Sequence, residues 1–465
     1  MKEENLLRER WLPALTVMMG TAAMVMSSTI LNVAIPHIMK AFQMGHEEVQ
    51  WISTGFLAAM TIAMLSTSWM VLRFGQKQTH IIALVLFLFA SLLGGFSPDS
   101  QTLFLARILQ GVAAGIIQPL SMITIFQVFP AEMRGKAMGI YGLGVILAPS
   151  VSPALGGILV DLYSWRLVFF MALPFCLAAF GLSFFYLPGK EKPTLGSDSK
   201  LKFDWLGIIL LSFSILLLLD GLSQGRNRGW MSLPILLRLG FAFIFASLFL
   251  LRESKIVYPL LDLGIFKNKR FVSACIVSFF YGAGLYGSVY LVPLFVQLVA
   301  GFTAAQAGML LIPGGFALGV IMLVAGRLTD MYQSYKIIIV GLSLFAISFF
   351  GLYLLRDSTY FLLIGILVTA SRAALGFVIP ALNAGAIQVL SREFIAKGSG
   401  TVNFIRTLGS SFGVNVFASL LDWREELRGG ANLNAFQDVF LIVALVFTLS
   451  IIPCFFMKQK EEIHV

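Results

Sequence analysis

The chain has 465 residues, 58% of them hydrophobic and only 12% charged, a balance that excludes a soluble globular domain of this length. Its net charge of +10 comes from basic residues scattered singly and in pairs along loops, with no basic face interleaved with aromatics, which argues against nucleic acid as a partner. Cys176, Cys275 and Cys454 all sit inside apolar runs and read as small packing residues, not as a disulfide framework.

Apolar runs able to cross a hydrocarbon core of ~30 Å at ~1.5 Å per helical residue mark the membrane spans. In chain order they predict fourteen transmembrane helices, at 12–35, 50–72, 79–96, 102–127, 136–160, 166–188, 204–221, 232–252, 271–298, 303–327, 336–355, 359–390, 398–421 and 435–457. The first run starts near Trp11 and passes Val33, too long for a signal-peptide core and without an A-x-A cleavage site, so it is expected to stay as a span. An even number of spans puts both termini on one side, and positively charged loops stay cytoplasmic. The tails and the loops sharing their side carry 22 of the 33 basic residues and the opposite loops 7, so both termini are expected in the cytoplasm. The fold class read from this pattern is an all-α polytopic membrane protein embedded in a lipid bilayer.

Two longer inside loops, 189–203 and 253–270, bracket a pair of spans between two sets of six. The 6+2+6 layout divides the chain into a six-helix bundle at 1–188, a linker with two extra transmembrane helices and an interfacial segment at 189–270, and a second six-helix bundle at 271–465. Lys190, Lys192, Lys200 and Lys202 among Pro, Gly and Ser make the first loop a solvated linker. The mixture of Leu, Phe and basic residues up to Phe271 suits a helix lying at the membrane surface.

A charge at membrane depth costs at least ~2.5 kcal/mol, so it faces a bundle interior or a watery cavity. Arg107, Arg372 and Arg406 lie within spans and are candidates for a substrate or proton pathway, together with Thr29, Asn32, Gln110, Gln118, Asn383 and Asn403. The plainer alternative is that the arginines satisfy helix-end carbonyls and hold the bundle together. The halves also look like copies: Arg107-x-x-x-Gly111 in span 4 returns as Arg372-x-x-x-Gly376 in span 12, a weak symmetry that marks transporter folds. Carboxylates are scarce. The one acid away from a cytoplasmic end or a loop edge is Asp220, near the outer end of span 7, a candidate coupling acid or a surface cap. Cations and amides without a facing carboxylate repel dications and suit anionic, zwitterionic or strongly hydrogen-bonding cargo. The aromatics of span 9, Phe279, Phe280, Tyr281, Tyr286 and Tyr290, read as packing before substrate contacts.

Several stretches resemble one family. Thr29-Ile-Leu-Asn32-Val-Ala-Ile-Pro36, Gln50-Trp51-Ile-Ser-Thr54, Arg107-Ile-Leu-Gln110-Gly111, the glycines and prolines of span 5 ending in Gly156-Gly157, and Asn403-Phe-Ile-Arg406-Thr-Leu-Gly409-Ser-Ser-Phe-Gly413 are similar to the fourteen-span drug:proton antiporter branch of the major facilitator superfamily, the EmrB and QacA type. The resemblance covers almost the whole length and implies the major facilitator fold, a bacterial host and the plasma (inner) membrane. It also implies gating or conformational roles for Arg73, Gly75 and Lys77 between spans 2 and 3, for Gly144, Pro149, Pro153, Gly156 and Gly157 in span 5, and for Gly326 and Asp330 in the second-half counterpart. The chain departs from the branch where Ser27 replaces a usual aspartate, Leu72 stands in the acidic place of the gating motif, Phe56 replaces a tyrosine, Ser152 a glycine and Ala172 an asparagine.

The expected function is that of a secondary active transporter, exporting small amphiphilic organic compounds, drugs or metabolites, by alternating access. The proton gradient supplies the energy, and no cofactor or metal is expected. The alternative is a uniporter or exporter of an anionic metabolite such as a siderophore, without the usual span 1 carboxylate. A small molecule is the expected partner, and in a host with two membranes the resemblance to EmrB implies a periplasmic adaptor. An enzyme is not expected. Gly409-Ser-Ser411-Phe-Gly413 spells a nucleophile elbow and Gly282-Ala-Gly284-Leu-Tyr-Gly287 a dinucleotide fingerprint, but both lie inside apolar helices, away from any strand or histidine, and read as packing faces.

Overall fold

The structure, a computed structural model, describes residues 10–129, 151–187, 189, 203–225, 228–256, 259–356, 361–390 and 394–458. Every regular element among them is helical. The chain divides into two compact units, Met1–Arg252 and Glu253–Val465. The first contains α1 (Leu12–Ile30, continued by a 3-10 turn at Leu31–Val33), α2 (Ile35–Phe42), α3 (His46–Met64), α4 (Thr67–Phe74), α5 (Gln76–Gly95), α6 (Ser100–Val128), α7 (Val151–Leu162), α8 (Leu173–Tyr186), α9 (Trp205–Gln224) and α10 (Leu233–Glu253), the last of which ends at the boundary. The second contains α11 (Lys269–Leu298), α12 (Ala304–Met331), α13 (Ser334–Tyr353), α14 (Phe361–Ile387), α15 (Ile395–Arg428), α16 (Leu433–Leu449) and the short α17 (Ile452–Phe455).

Twelve described helices are long and apolar enough to cross a membrane, where fourteen were expected. The other two predicted spans are 50–72 and 136–160. Over the first, the chain breaks into α3 and α4 around Ser66, whose hydroxyl donates to the Ala63 carbonyl at 2.6 Å; α3 carries Gln50, Ser53 and Thr54 in its apolar run, and α4 has only 8 residues. Most of the second lies outside the described residues, and its described part, Val151–Leu162, is short. The predicted end of span 13 at residue 421 is also corrected: α15 runs on to Arg428 and stops at Gly429, whose φ of +76° is the left-handed cap that glycine takes most readily.

The two units repeat one packing scheme. In the first, α6 lies against α3 and α5, and α5 also against α8; in the second, α14 lies against α12 and α13, and α13 against α16. Small residues permit the closest crossings. A Cβ on Gly111 of α6 would stand 2.2 Å from the Phe56 carbonyl oxygen of α3, and one on Gly376 of α14 2.8 Å from the Leu318 carbonyl oxygen of α12. Without a hydrophobic drive between helices in lipid, such backbone approach is what holds a bundle together. The two glycine-rich motifs are packing faces as well: the Cβ positions of Gly282, Gly409 and Gly413 would fall 1.9 Å from the Arg406 carbonyl oxygen, 2.1 Å from that of Phe279 and 2.4 Å from the Ala283 Cα.

The extra pair, α9 and α10, is pinned at both ends. Asp204 caps α9 through the Gly207 N–H at 2.9 Å and accepts from Arg252 Nε at 2.7 Å, while Asp220 pairs with Arg238 Nε at 3.1 Å. α9 in turn meets α3, where Gln50 Nε2 donates to the Ser223 hydroxyl.

In the second unit, Asp262 accepts from Lys397 Nζ at 2.9 Å and from the Gly264 N–H at 3.0 Å. The Lys397 hydrogen bond, more than the backbone one, holds the Asp262 carboxyl below its ordinary value of 3.8. A carboxyl depressed in the folded state adds stability above its unfolded pKa and loses it as pH falls through the folded one. The gap in thermal stability between wild type and Asp262→Asn is therefore expected to be full at about pH 7 and closed at about pH 2. The effect is small, because Lys397 is largely exposed. An equal gap at both pH values contradicts this assignment.

Candidate functional site: two buried arginines

Arg107 is 1% exposed at the centre of the first unit. Its place on α6 is fixed by Asp99, which caps the helix by accepting from the Thr102 N–H at 2.7 Å, and by Gly111, one turn on, which brings α3 close. Arg107 Nε donates to the Ile52 carbonyl of α3 at 3.1 Å. Its Nη1 donates to the Ser27 carbonyl of α1 at 3.2 Å, to the Ser27 hydroxyl at 3.2 Å and to Gln110 Oε1 at 2.8 Å. The guanidinium carbon lies 4.3 Å from the centre of the Phe56 ring, a cation–π contact. Gln110, fully buried, passes the network on to the Ser91 hydroxyl of α5 at 2.9 Å. One cation thus ties α1, α3 and α6 together and reaches α5, with amide, hydroxyl, carbonyl and ring partners. Ser27, standing where the resembled branch has an aspartate, is in direct contact with it.

Two further predicted residues flank this network. Thr29 shares a hydrogen bond of 2.9 Å with Ser152 of α7, and Asn32 Oδ1 accepts from the Ser53 hydroxyl at 2.9 Å. Gln118 lies farther along α6, with its Oε1 buried and without a hydrogen-bond partner among the described residues.

In the second unit Arg372 of α14 is 4% exposed and Arg406 of α15 half-buried; both lie within electrostatic reach of Tyr281 of α11. Arg372 Nη1 donates to the Leu285 carbonyl of α11 at 3.0 Å, and its stem crosses α12 at Gly314, where a Cβ would stand 2.7 Å from Arg372 Cγ. Asn383 and Asn403 are half-buried on α14 and α15. Asp220, the candidate coupling acid, belongs to neither network: it pairs with Arg238 and accepts from Gln224 Nε2 at 2.6 Å.

Of the gating candidates, Arg73 is exposed, Gly75 has a φ of +84° between α4 and α5, and Lys77 donates to the Phe184 carbonyl at 2.6 Å. Gly144 and Pro149 lie outside the described residues, and so does the side chain of Asp330. Pro153, Gly156 and Gly157 sit in α7, where a Cβ on Gly156 would stand 2.5 Å from Ile30 Cγ1 of α1. Among the described residues nothing lies within 4 Å of a Cβ on Gly326.

Two features went unread in the sequence. His80 is fully buried inside α5 and shares a hydrogen bond of 2.9 Å through Nδ1 with the Ser183 hydroxyl of α8. Asp422 and Glu425 ride on the added length of α15, within electrostatic reach of the buried Tyr290. The absence of any helix stop before Gly429-Gly430 was the available signal for them.

Twelve described helices long and apolar enough to cross a membrane, with arginines held inside each of two similarly packed units, define a multi-pass membrane protein. A family model described as Major Facilitator Superfamily matches residues 17–414, and the chain belongs to that family. Over 407 residues it is 29% identical to the "Uncharacterized MFS-type transporter YhcA" of Bacillus subtilis (strain 168), covering 87% of this chain and 75% of that one. It is 26% identical over 453 residues to the "Lincomycin resistance protein LmrB" of the same organism, covering 94% of each. Among solved structures, a crystal structure of a D-xylose-proton symporter matches with a TM-score of 0.66 at 15% identity, covering 94% of this chain and 97% of that one, which shows the shared fold.

Proposed function

We propose that the chain is a proton-coupled exporter of small amphiphilic organic compounds, working by alternating access from the bacterial inner membrane with both termini in the cytoplasm. The observation that carries the reading is the Arg107 network: a cation 1% exposed at membrane depth, bound to two neighbouring helices, is costly to keep and marks a working site before a structural one. Similarity over nearly the full length to a chain named for lincomycin resistance supports a drug-like cargo. Counting 50–72 and the incompletely described 136–160 as spans restores the fourteen-span layout of the drug:proton antiporter branch, and in a two-membrane host a periplasmic adaptor belongs to the same reading. Expression in a strain lacking its own pumps is expected to lower accumulation of the true cargo from a panel of dyes, drugs and anionic metabolites. No change across the panel, with no movement of any of them in vesicles, overturns the reading.

The alternative cargo, an anionic metabolite such as a siderophore, is favoured by one specific observation: the residue touching Arg107 from α1 is Ser27 and not an acid. Wild type is accordingly expected to give little or no resistance to divalent quaternary ammonium compounds. Ser27→Asp, which places a carboxylate in ion-pair range of Arg107, is expected to raise that resistance several-fold. Strong resistance in wild type contradicts the inference about cargo charge.

A further inference from the structure

The motif Arg-x-x-x-Gly occurs once in each half, and the structure gives both copies the same first contact. Arg107 Nη1 reaches the Ser27 carbonyl of the first helix of its unit, and Arg372 Nη1 reaches the Leu285 carbonyl of the first helix of the second unit. The copies differ in the side-chain acceptors offered to that same nitrogen. Beside Arg107 stand two side-chain acceptors, the Ser27 hydroxyl and Gln110 Oε1. The corresponding places beside Arg372 hold Leu285 and, three residues along α14, the fully buried Leu375. Among the described residues Arg372 Nη2 is buried without a hydrogen-bond partner, and no carboxylate pairs with this arginine. An unmatched donor on a buried cation carries a desolvation cost well above that of a neutral group. Tyr281 lies within electrostatic reach of Arg372, and Tyr281 in turn within reach of Arg406 and Tyr286; none of these carries a formal negative charge.

We infer that Arg372, with Tyr281 and Arg406, forms a binding site inside the second unit for a compact monovalent anion, a carboxylate group or a halide. Arg372 Nη2 donates to the anion, the arginine pair compensates its charge, and the crossing at Gly314 holds the Arg372 stem in place. The site is independent of export: it is defined by binding, so a chain that moves no compound can still contain it, and a working exporter can lack it.

The test is anion-dependent stability of the purified full chain in detergent, with sodium formate, sodium benzoate or sodium chloride titrated against sodium sulfate at matched ionic strength. Wild type is expected to show a saturable rise in thermal midpoint with at least one of the three monovalent anions. Arg107→Met is expected to retain that rise and Arg372→Met to lose it. Should Arg372→Met fail to fold, Arg372→Lys and Gly314→Ala, which keep the charge but move the donor, are expected to weaken the apparent affinity at least tenfold. A response to chloride and formate alike assigns the site to free small anions, and a response to the carboxylates alone assigns it to the carboxylate of an organic cargo. No monovalent-anion response in wild type overturns the proposal, as does a response left intact in the Arg372 variants.

Discussion

Arg107→Ala is expected to abolish the proposed export while leaving a folded protein in the membrane. The magnitudes explain why both halves of that result are expected. Removing the guanidinium takes one donor from the Ser27 and Ile52 carbonyls, a loss of ~1–3 kcal/mol each, while Gln110 Oε1 keeps the Ser27 hydroxyl as a donor. The same substitution takes a charge out of the membrane interior, which returns at least ~2.5 kcal/mol, and Gln110 stays anchored by Ser91. Stability therefore changes modestly, while the one cation linking α1, α3 and α6 is gone. Arg107→Lys keeps the charge but cannot span Ile52 on one side and Ser27 and Gln110 on the other from a single ammonium, so it is expected to lose most of the activity too. Export in cells, read beside monodispersity of the purified variant, checks this. Normal export from folded Arg107→Ala would return the residue to a purely structural role.

Gly282→Val is expected to unfold the second unit. The Cβ position at Gly282 falls 1.9 Å from the Arg406 carbonyl oxygen and 2.9 Å from Ser410 Oγ, so the obstacle is backbone of the facing helix and has no rotamer to escape into. Overpacking a core costs ~1–3 kcal/mol when side chains can adjust, and more when they cannot. The α11–α15 crossing must open, and with it the approach of Tyr281 to Arg406. Gly326→Val is the control, because the Cβ position at Gly326 has nothing within 4 Å among the described residues. The expected result is aggregation or loss of Gly282→Val on purification, with Gly326→Val as stable and monodisperse as wild type. Equal stability of the two variants would show that the α11–α15 crossing tolerates separation.

The membrane class, the helical architecture and the arginine motifs were legible because apolar run length and isolated charge are properties of the chain itself. The span count was less so. α3 spreads its polar residues along a helix covered by α6 and α9, so its mean hydropathy does not separate it from a buried helix of another kind. The end of α15 was missed because a search for apolar runs stops at the first acid, while the helix stops only where Gly429 can adopt a positive φ. In the sequence His80 follows the polar stretch of Gln76, Lys77 and Gln78. Only the packing of Gly20, whose Cβ would stand 3.0 Å from His80 Nε2, and of Ser183 around it makes it an interior residue. The contrast between Gln110 and Leu375 was present in the sequence from the start. It acquired a meaning when the structure gave Ser27 and Leu285 the same role toward Arg107 and Arg372.

Flux in proteoliposomes after a pH jump tests proton-coupled export most directly, with wild type and Arg107→Ala side by side and an extract of host metabolites as cargo. The account predicts that wild type moves at least one compound against its gradient when protons flow the other way, that collapsing the pH difference stops it, and that Arg107→Ala does neither. Movement that ignores the pH difference, or no movement of any compound by folded wild-type protein, would contradict it.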